Sequence, residues 1–449
     1  MRKTTIFAAI FAIILSAAAA RGNENGADAF IRFNDAVHEN NAEINRLKSE
    51  LAAGERELRA ASKTSPIGLE IEGERTLESG EEKKYETKNI EFSKSFSAAD
   101  GSGLVKRKNS AEAKIRTEQT QKAIDDITYE AYAGVLAGVK ASCQKKLAEE
   151  NLKIAENIIN AVTQKYEVAL GSKMEIEQAA LDYEVQVLRA IEASAAFENQ
   201  KAALEIKNGL RANAISDSLF NARSRASITA EVETLLRSAE TAVDGIAALY
   251  SGSLETRRDL KAALYEVELI KASIEAEKRS NSPEFKIGVY RSVNDLDEAE
   301  RGVKFGISLS VYDFGRRNDA AAALKLKLAG YQTLRDAKSY YIEHIERLIL
   351  LDITEKYNLC AAGREKLKRL SGVGLTRASK LFTMATIGYT EGATTLFEYQ
   401  NAKKSYFEFF EQLITAAVDF NISLLELRRA CGLPPDKNGD IMGRFVELR

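Results

Sequence analysis

The chain has no tryptophan, two histidines, three cysteines and four prolines among 449 residues. Each scarcity excludes something. His38 and His344 lie far apart, and neither has a second His or Cys at ligand spacing, so a metal centre has no support. Cys143, Cys360 and Cys431 are an odd number at wide spacing, which argues against a disulfide framework and for buried small apolar side chains. Past the N-terminus no run approaches the roughly 18 to 20 apolar residues of a transmembrane helix. Any contact with a bilayer must therefore come from strands. Net charge is −2 with 29% charged residues, a dense mixture without a basic patch, so nucleic acid is not an expected partner. No G-x-S-x-G, phosphate loop or glycine-rich dinucleotide turn is present, so neither an enzyme nor a cofactor is expected.

The first twenty residues read as a secretory signal: Arg2 and Lys3, an apolar run from Ile6 to Leu15, then Ala18-Ala19-Ala20. The few prolines punctuate the rest of the chain. Ser65-Pro66 and Ser282-Pro283 each precede alternating apolar and polar residues, Leu69 to Glu72 and Phe285 to Val289, the pattern of a strand with one apolar face. A second alternating stretch comes after each, Ile90, Phe92 and Phe96, and then Val303, Phe305, Ile307, Leu309 and Val311. Polar, acidic stretches from Glu74 to Lys84 and from Val293 to Arg301 read as the exposed loops between them. These patterns predict four strands in a tandem repeat.

Between the strand pairs the chain is rich in Ala, Leu, Glu, Lys and Gln. From Gly315 to Gly388 no proline interrupts a seam at Leu324, Leu328, Tyr331 and Leu334, then at Tyr341, Ile345 and Leu348, each run spaced by threes and fours as in coiled-coil packing. About 70 residues of helix at 1.5 Å each span roughly 100 Å. Leu104 to Val168 has the same character, and shorter helices are expected at Asp28–Ala61, Ile176–Leu210, Leu254–Lys278 and Leu396–Ala430. Four strands of about ten residues match the tilted span of a bilayer, but they leave two open edges that lipid does not tolerate. Oligomeric closure is expected.

The sharpest local signal sits where each long helix ends. One turn reads Tyr389-Thr390-Glu391-Gly392-Ala393-Thr394-Thr395-Leu396-Phe397-Glu398, the other Tyr166-Glu167-Val168-Ala169-Leu170-Gly171-Ser172-Lys173-Met174-Glu175. Thr395 with Glu398, and Ser172 with Glu175, have the spacing of a capping box. Here the chain resembles the TolC-like outer membrane efflux protein family, whose tips carry Y-x-x-G-x-x-[ST]-x-x-[DE] in both halves. Glu39 to Ile44, Arg257 to Leu260, and Leu309 to Gly315 add looser matches in the same order.

The resemblance implies a mainly α fold with a small transmembrane β portion: a homotrimer whose strands close a twelve-stranded barrel in outer membrane lipid, continued by a periplasmic helical barrel. It implies a passive channel of a tripartite efflux pump or a type I secretion system, served by a periplasmic adaptor (membrane fusion protein) and an inner membrane transporter. Residues 1–20 are then the signal, 21–215 and 216–431 the two repeats, with a belt at about 212–248, and 432–449 a tail. By the same resemblance Glu398, Asn401, Glu175 and Tyr389 are gate residues, with Tyr389 bonded to Glu175 when closed. Tyr166, Ala169, Gly171, Ser172, Gly392 and Thr395 form the tips that dock the adaptor. Three departures stand out: Asn401 replaces an acid, Thr394 stands where an arginine can link the tips, and Ala169 replaces a glycine, so that Gly171 is expected to take over the turn. Without tryptophan the aromatic belt falls to Tyr85, Phe92, Phe96, Phe285, Tyr290, Phe305 and Tyr312. The other reading is a non-transporting periplasmic coiled-coil protein.

Overall fold

The computed structural model describes residues 26–61, 68–76, 85–97, 101–169, 171–211, 215, 220, 246–279, 284–293, 299–308 and 317–435. The signal segment, most of the belt, most of the tail and the stretch from Leu309 to Gly315 lie outside these residues. Along the chain α1 (Gly26–Asn40) and α2 (Ala42–Ala61) lead to β1 (Gly68–Thr76), β2 (Tyr85–Ser97), the 67-residue α3 (Gly101–Glu167) and α4 (Lys173–Lys207). The order then recurs: α5 (Ile246–Thr256), α6 (Arg258–Arg279), β3 (Glu284–Val293), β4 (Ala299–Ser308), α7 (Arg317–Arg369), α8 (Leu375–Thr390) and α9 (Leu396–Ala430).

Two compact units are interleaved along the sequence, one of residues 1–48, 121–257 and 346–449, the other of 49–120 and 258–345. The second unit holds the sheet, antiparallel throughout in the order β1-β2-β3-β4. Its register puts Leu69 opposite Phe92, Phe92 opposite Val289, and Val289 opposite Val303, while Phe96 faces Phe285 and Ile287 faces Phe305. Alternation therefore places Leu69, Ile90, Phe92, Phe285, Ile287, Val289, Val303 and Phe305 at register positions of one face, together with Lys94, Arg291 and Arg301, and places Glu70, Glu91, Ser93, Lys286 and Lys304 with Tyr85 and Tyr290 on the other. On the apolar face Ile287, Val289, Val303 and Phe305 are 43, 53, 56 and 76% exposed. The strands also run further into the acidic stretches than the loops read from sequence allow. Arg75 pairs with Glu86 and Ser292 with Glu300. A ladder asks only for backbone groups, and opposite charges across it help. The helices of this unit bury Leu104, Ile115, Leu260 and Ile270, and are tied by pairs such as Lys338 with Glu266 and Arg258 with Glu118.

The first unit packs Phe33, Val37, Ile44, Tyr132, Leu136, Phe197, Leu204, Phe220 and Leu425 into one core. The three cysteines are buried thiols, as their spacing suggests, and burial pushes Cys360 up to about 11. Two helices read as continuous are each broken once. At Asn41 the side-chain oxygen accepts the N–H groups of Glu43 and Ile44 (3.0 and 3.2 Å), capping α2, while its amide reaches the Lys207 carbonyl. At Arg257, between α5 and α6, the guanidinium donates to Asp352 (3.0 Å) and to the Ala430 carbonyl (2.8 Å). Each break abuts a left-handed glycine after the returning helix. Gly209 (φ +68°) lies against Asn40, and Gly432 (φ +69°) against Arg257. The same joint is thus built twice, from an asparagine cap in one repeat and an arginine in the other. A third break is unmatched: Leu370–Gly374 is a single π turn between α7 and α8, whereas Leu147 to Asn151 at the same place in the first repeat is regular helix.

A Cβ at Gly209 would stand 2.6 Å from the Asn40 carbonyl oxygen in a conformation that favours glycine. Gly209→Ala is therefore expected to lower stability by about 2–4 kcal/mol, read from thermal unfolding by circular dichroism. An unchanged melting temperature would remove the joint from the account.

Candidate functional site

The tips are built from backbone groups that a helix end leaves unpaired. Where α8 stops, Gly392 takes φ +77°, the Ala393 N–H donates to the Gly388 carbonyl (2.7 Å) and the Gly392 N–H to that of Tyr389 (3.3 Å). This is the double closure of a Schellman turn. Thr395 then opens α9. Its hydroxyl accepts the Glu398 N–H (3.2 Å), and Glu398 accepts the Thr395 N–H in return (2.9 Å). Those bonds hold the exposed Glu398 carboxyl below the usual carboxylate range, first through the backbone N–H and then the hydroxyl. The cap is accordingly present at neutral pH and is lost as pH falls through that lowered value.

The first tip repeats the scheme with one change. Ser172 and Glu175 form the same reciprocal box (3.2 and 3.0 Å), and the Ala169 N–H donates to the Tyr166 carbonyl (3.0 Å). The left-handed position, however, is filled by Ala169 itself, at φ +59°, and not by Gly171. Gly171 has a different reason to be small: a Cβ there would stand 3.2 Å from the Tyr166 nitrogen and 3.4 Å from the Glu175 carboxylate. In the second tip the room is made on the other side, where Thr394 folds over Gly388, whose Cβ would lie 2.8 Å from the threonine methyl. The two turns exchange which partner is glycine, which is why the motif looks degraded in the first repeat while the turn survives.

Equivalent side chains then diverge. Tyr166 is 46% exposed, whereas Tyr389 is 9% exposed within a cluster of Ile158, Val162, Ala179, Leu396, Tyr399 and Ala402. Burial pushes the Tyr389 phenol up, and the nearby Glu175 carboxylate adds to it. Tyr389 and Glu175 thus act on one another through charge, but among the described residues no hydrogen bond joins them, and Glu175 turns back to its own cap. Lys165 approaches Tyr389 instead. Its ammonium donates to the Tyr389 carbonyl (3.0 Å) and lies 4.0 Å from the centre of the ring. Glu398 and Asn401 are both exposed, one turn apart at the start of α9. Met174 and Phe397 are exposed second residues of α4 and α9.

A second tie between the hairpins was not visible in sequence. Lys403 of α9 is 2% exposed at its side chain and donates to Asp182 of α4. Asp182 also accepts from Gln186 (3.0 Å), and Gln186 from Asn151 of α3 (2.8 Å). Burial and Asp182 together push the Tyr399 phenol up to about 12. Lys165 and Lys403 are two of 64 basic residues, and only packing distinguishes them.

A left-handed alanine is strained by about 1 kcal/mol relative to glycine. Ala169→Gly should raise stability by about that amount and Gly392→Ala should lower it similarly, both measured by thermal unfolding; equal and opposite shifts are the signature, and a destabilising Ala169→Gly would contradict the turn.

Residues 249–433 match the sequence model of the family described as outer membrane efflux protein. No curated protein matches the chain. Among solved structures, the outer membrane protein VceC of Vibrio cholerae superimposes with a TM-score of 0.66 at 15% identity, covering 90% of this chain and 96% of its own. The Campylobacter jejuni CmeC outer membrane channel gives 0.66 at 14%, over 91% and 87%. The open state of the Neisseria gonorrhoeae MtrE outer membrane channel gives 0.67 at 14%, over 90% and 89%. The chain therefore has the fold of these channels over nine-tenths of its length, and its second repeat is similar in sequence to the outer membrane efflux protein family.

Proposed function

We propose that the protein is the outer membrane channel of an export system, a homotrimer that passively conducts substrates delivered by an inner membrane transporter. The observation that carries this reading is the sheet. Four antiparallel strands end in β1 and β4, which run in opposite directions, so β4 of one copy is oriented to pair with β1 of the next. Three copies make twelve strands without an edge, and closure is what hydrocarbon demands. The exposed apolar band at Ile287, Val289, Val303 and Phe305 then faces lipid, and the lysine and glutamate face lines the lumen. A periplasmic coiled-coil rod has no use for such a band.

Helix surfaces support the same assembly. Leu334, Tyr341 and Leu348 form an exposed stripe on α7 at intervals of seven, the seam spacing of helix-on-helix packing. The protein lies in the outer membrane and extends into the periplasm. At the tips Glu398, Asn401, Glu175 and Tyr389 form the gate, and the turns with exposed Val168, Met174 and Phe397 offer the apolar contact for a periplasmic adaptor. The chemistry at the tips fits a tripartite efflux pump and a type I secretion system equally.

A charge in the lipid-facing band costs about 2–4 kcal/mol near the bilayer midplane. Phe305→Arg should therefore deplete heat-modifiable trimer from the outer membrane fraction. The purified wild type should give discrete single-channel openings in a planar bilayer, with cation block reduced in Glu398→Ala. Trimer levels unaffected by Phe305→Arg, with no channel activity, would favour the periplasmic rod.

A further inference from the structure

The contact between Lys165 and Tyr389 joins the end of one hairpin's long helix to the end of the other's, and it differs in kind from most of the chain's lysine contacts. Lys207, Lys327, Lys338, Lys356 and Lys403 each pair with a carboxylate. Among the described residues Lys165 forms no such pair; its ammonium is spent on the Tyr389 carbonyl and ring. That carbonyl belongs to the last turn of α8, where the helix dipole is negative and a cation is favoured. The face of an aromatic ring attracts a cation as well, most strongly when water is partly excluded, and Tyr389 is buried. The carboxylate of Glu175 acts on the same phenol. One ammonium therefore answers two sources of negative potential on the second tip, the carbonyl and the ring.

The contact is also one-directional. The residue at the corresponding place in the second repeat is Gly388, which must be small because Thr394 folds over it, so that position offers no reciprocal cation to Tyr166. Thr394 is the position where the sequence lacks a linking arginine. The cation absent from the second tip is supplied from the first.

We propose that Lys165 is a positioning residue of the gate: it clasps the end of α8 to the end of α3 within one chain and so holds the α8–α9 hairpin in the low-conductance arrangement. This rests on the reading of the chain as a gated conduit. To move the second tip, Tyr389 must leave the ammonium, and both the bond to its carbonyl and the stacking on its ring are lost together. The contact uses backbone and ring and no acidic partner. It therefore persists at pH values that protonate carboxylates, unlike a gate latched by a tyrosine–glutamate or lysine–aspartate pair.

The test is single-channel recording of full-length trimers in planar bilayers, comparing wild type with Lys165→Met, Lys165→Arg and, as a control for loss of charge at the same tip, Lys173→Met. Lys165→Met keeps the apolar stem without the donor or the charge, and should raise the open fraction roughly tenfold. Lys165→Arg, which stacks and donates, should behave as wild type, and so should Lys173→Met. Tyr389→Leu, which deletes the ring, should open the channel less than Lys165→Met and add little to it, since both break one contact. Should Lys165→Met fail to assemble, Lys165→Gln keeps an uncharged donor and is expected to open the channel partially. A Lys165→Met channel with wild-type gating, an equally open Lys165→Arg, or an equal effect of Lys173→Met would overturn the clasp while leaving the conduit intact. Wild-type trimers that form no channel would overturn the conduit and the clasp with it.

Discussion

Backbone N–H and C=O groups must be paired when water cannot reach them, and much of this structure derives from that single demand. In the sheet it appears as two unpaired edges, β1 and β4, which a bilayer core forbids. If the sheet lies in lipid, as proposed, four strands are unfinished alone, and their antiparallel order sets how copies would join. At the tips the same demand appears as helix ends. There it is met locally, by two capping boxes, a Schellman turn and a left-handed alanine. The sheet's edges are not paired within the described residues, while the tips satisfy their helix ends within the chain.

Duplication supplies the parts, and divergence decides their roles. The joints at Asn41 and Arg257 show how little sequence must persist for a structure to be kept. Each closes on a left-handed glycine, Gly209 and Gly432, but a neutral amide caps the helix in one and a guanidinium bridges to Asp352 in the other. The tips make the same point with opposite consequences for function. Tyr166 and Tyr389 hold the same place in the two turns, but one faces solvent and the other lies in an apolar cluster under a lysine. The π turn at Leu370–Gly374 has no partner in the first repeat, and Gly374 there makes room for the Phe409 ring of α9. Asymmetry thus concentrates on the α8–α9 hairpin.

What could be read from the sequence was whatever rests on local rules. Alternation at Leu69, Ile90, Phe285 and Val303 specified strands and their apolar face, because the period of two survives any context. Thr395 with Glu398 and Ser172 with Glu175 specified helix starts, because the capping box is a contact over three residues. The breaks at Asn41 and Arg257 escaped, since an asparagine or arginine inside a long polar helix is unremarkable until its distant partner, Lys207 or Ala430, is known. Ala169 misled for a related reason. A glycine two residues later suggested a displaced turn, when the chain had kept the turn and accepted the strain. The bond from Tyr389 to Glu175 expected of a closed state could not be weighed against the cap in advance, and in this structure the cap within the same turn takes the carboxylate.

That competition bears on how such a gate can be built. A glutamate that caps its own helix is already partly neutralised by fixed N–H groups, and Glu398 shows the effect in its lowered carboxyl. Its counterpart Glu175 still acts on a neighbouring phenol, that of Tyr389, but a capped carboxylate has less to gain from a new hydrogen bond. A cation from outside the turn is under no such constraint. Lys165 lies in the last turn of α3 and reaches across to α8. It engages a carbonyl that the Schellman turn occupies only with the longer Gly392 N–H contact (3.3 Å), and the face of a ring held by core packing. Capping chemistry fixes each tip as a unit, and the remaining acceptors are what link one unit to the next.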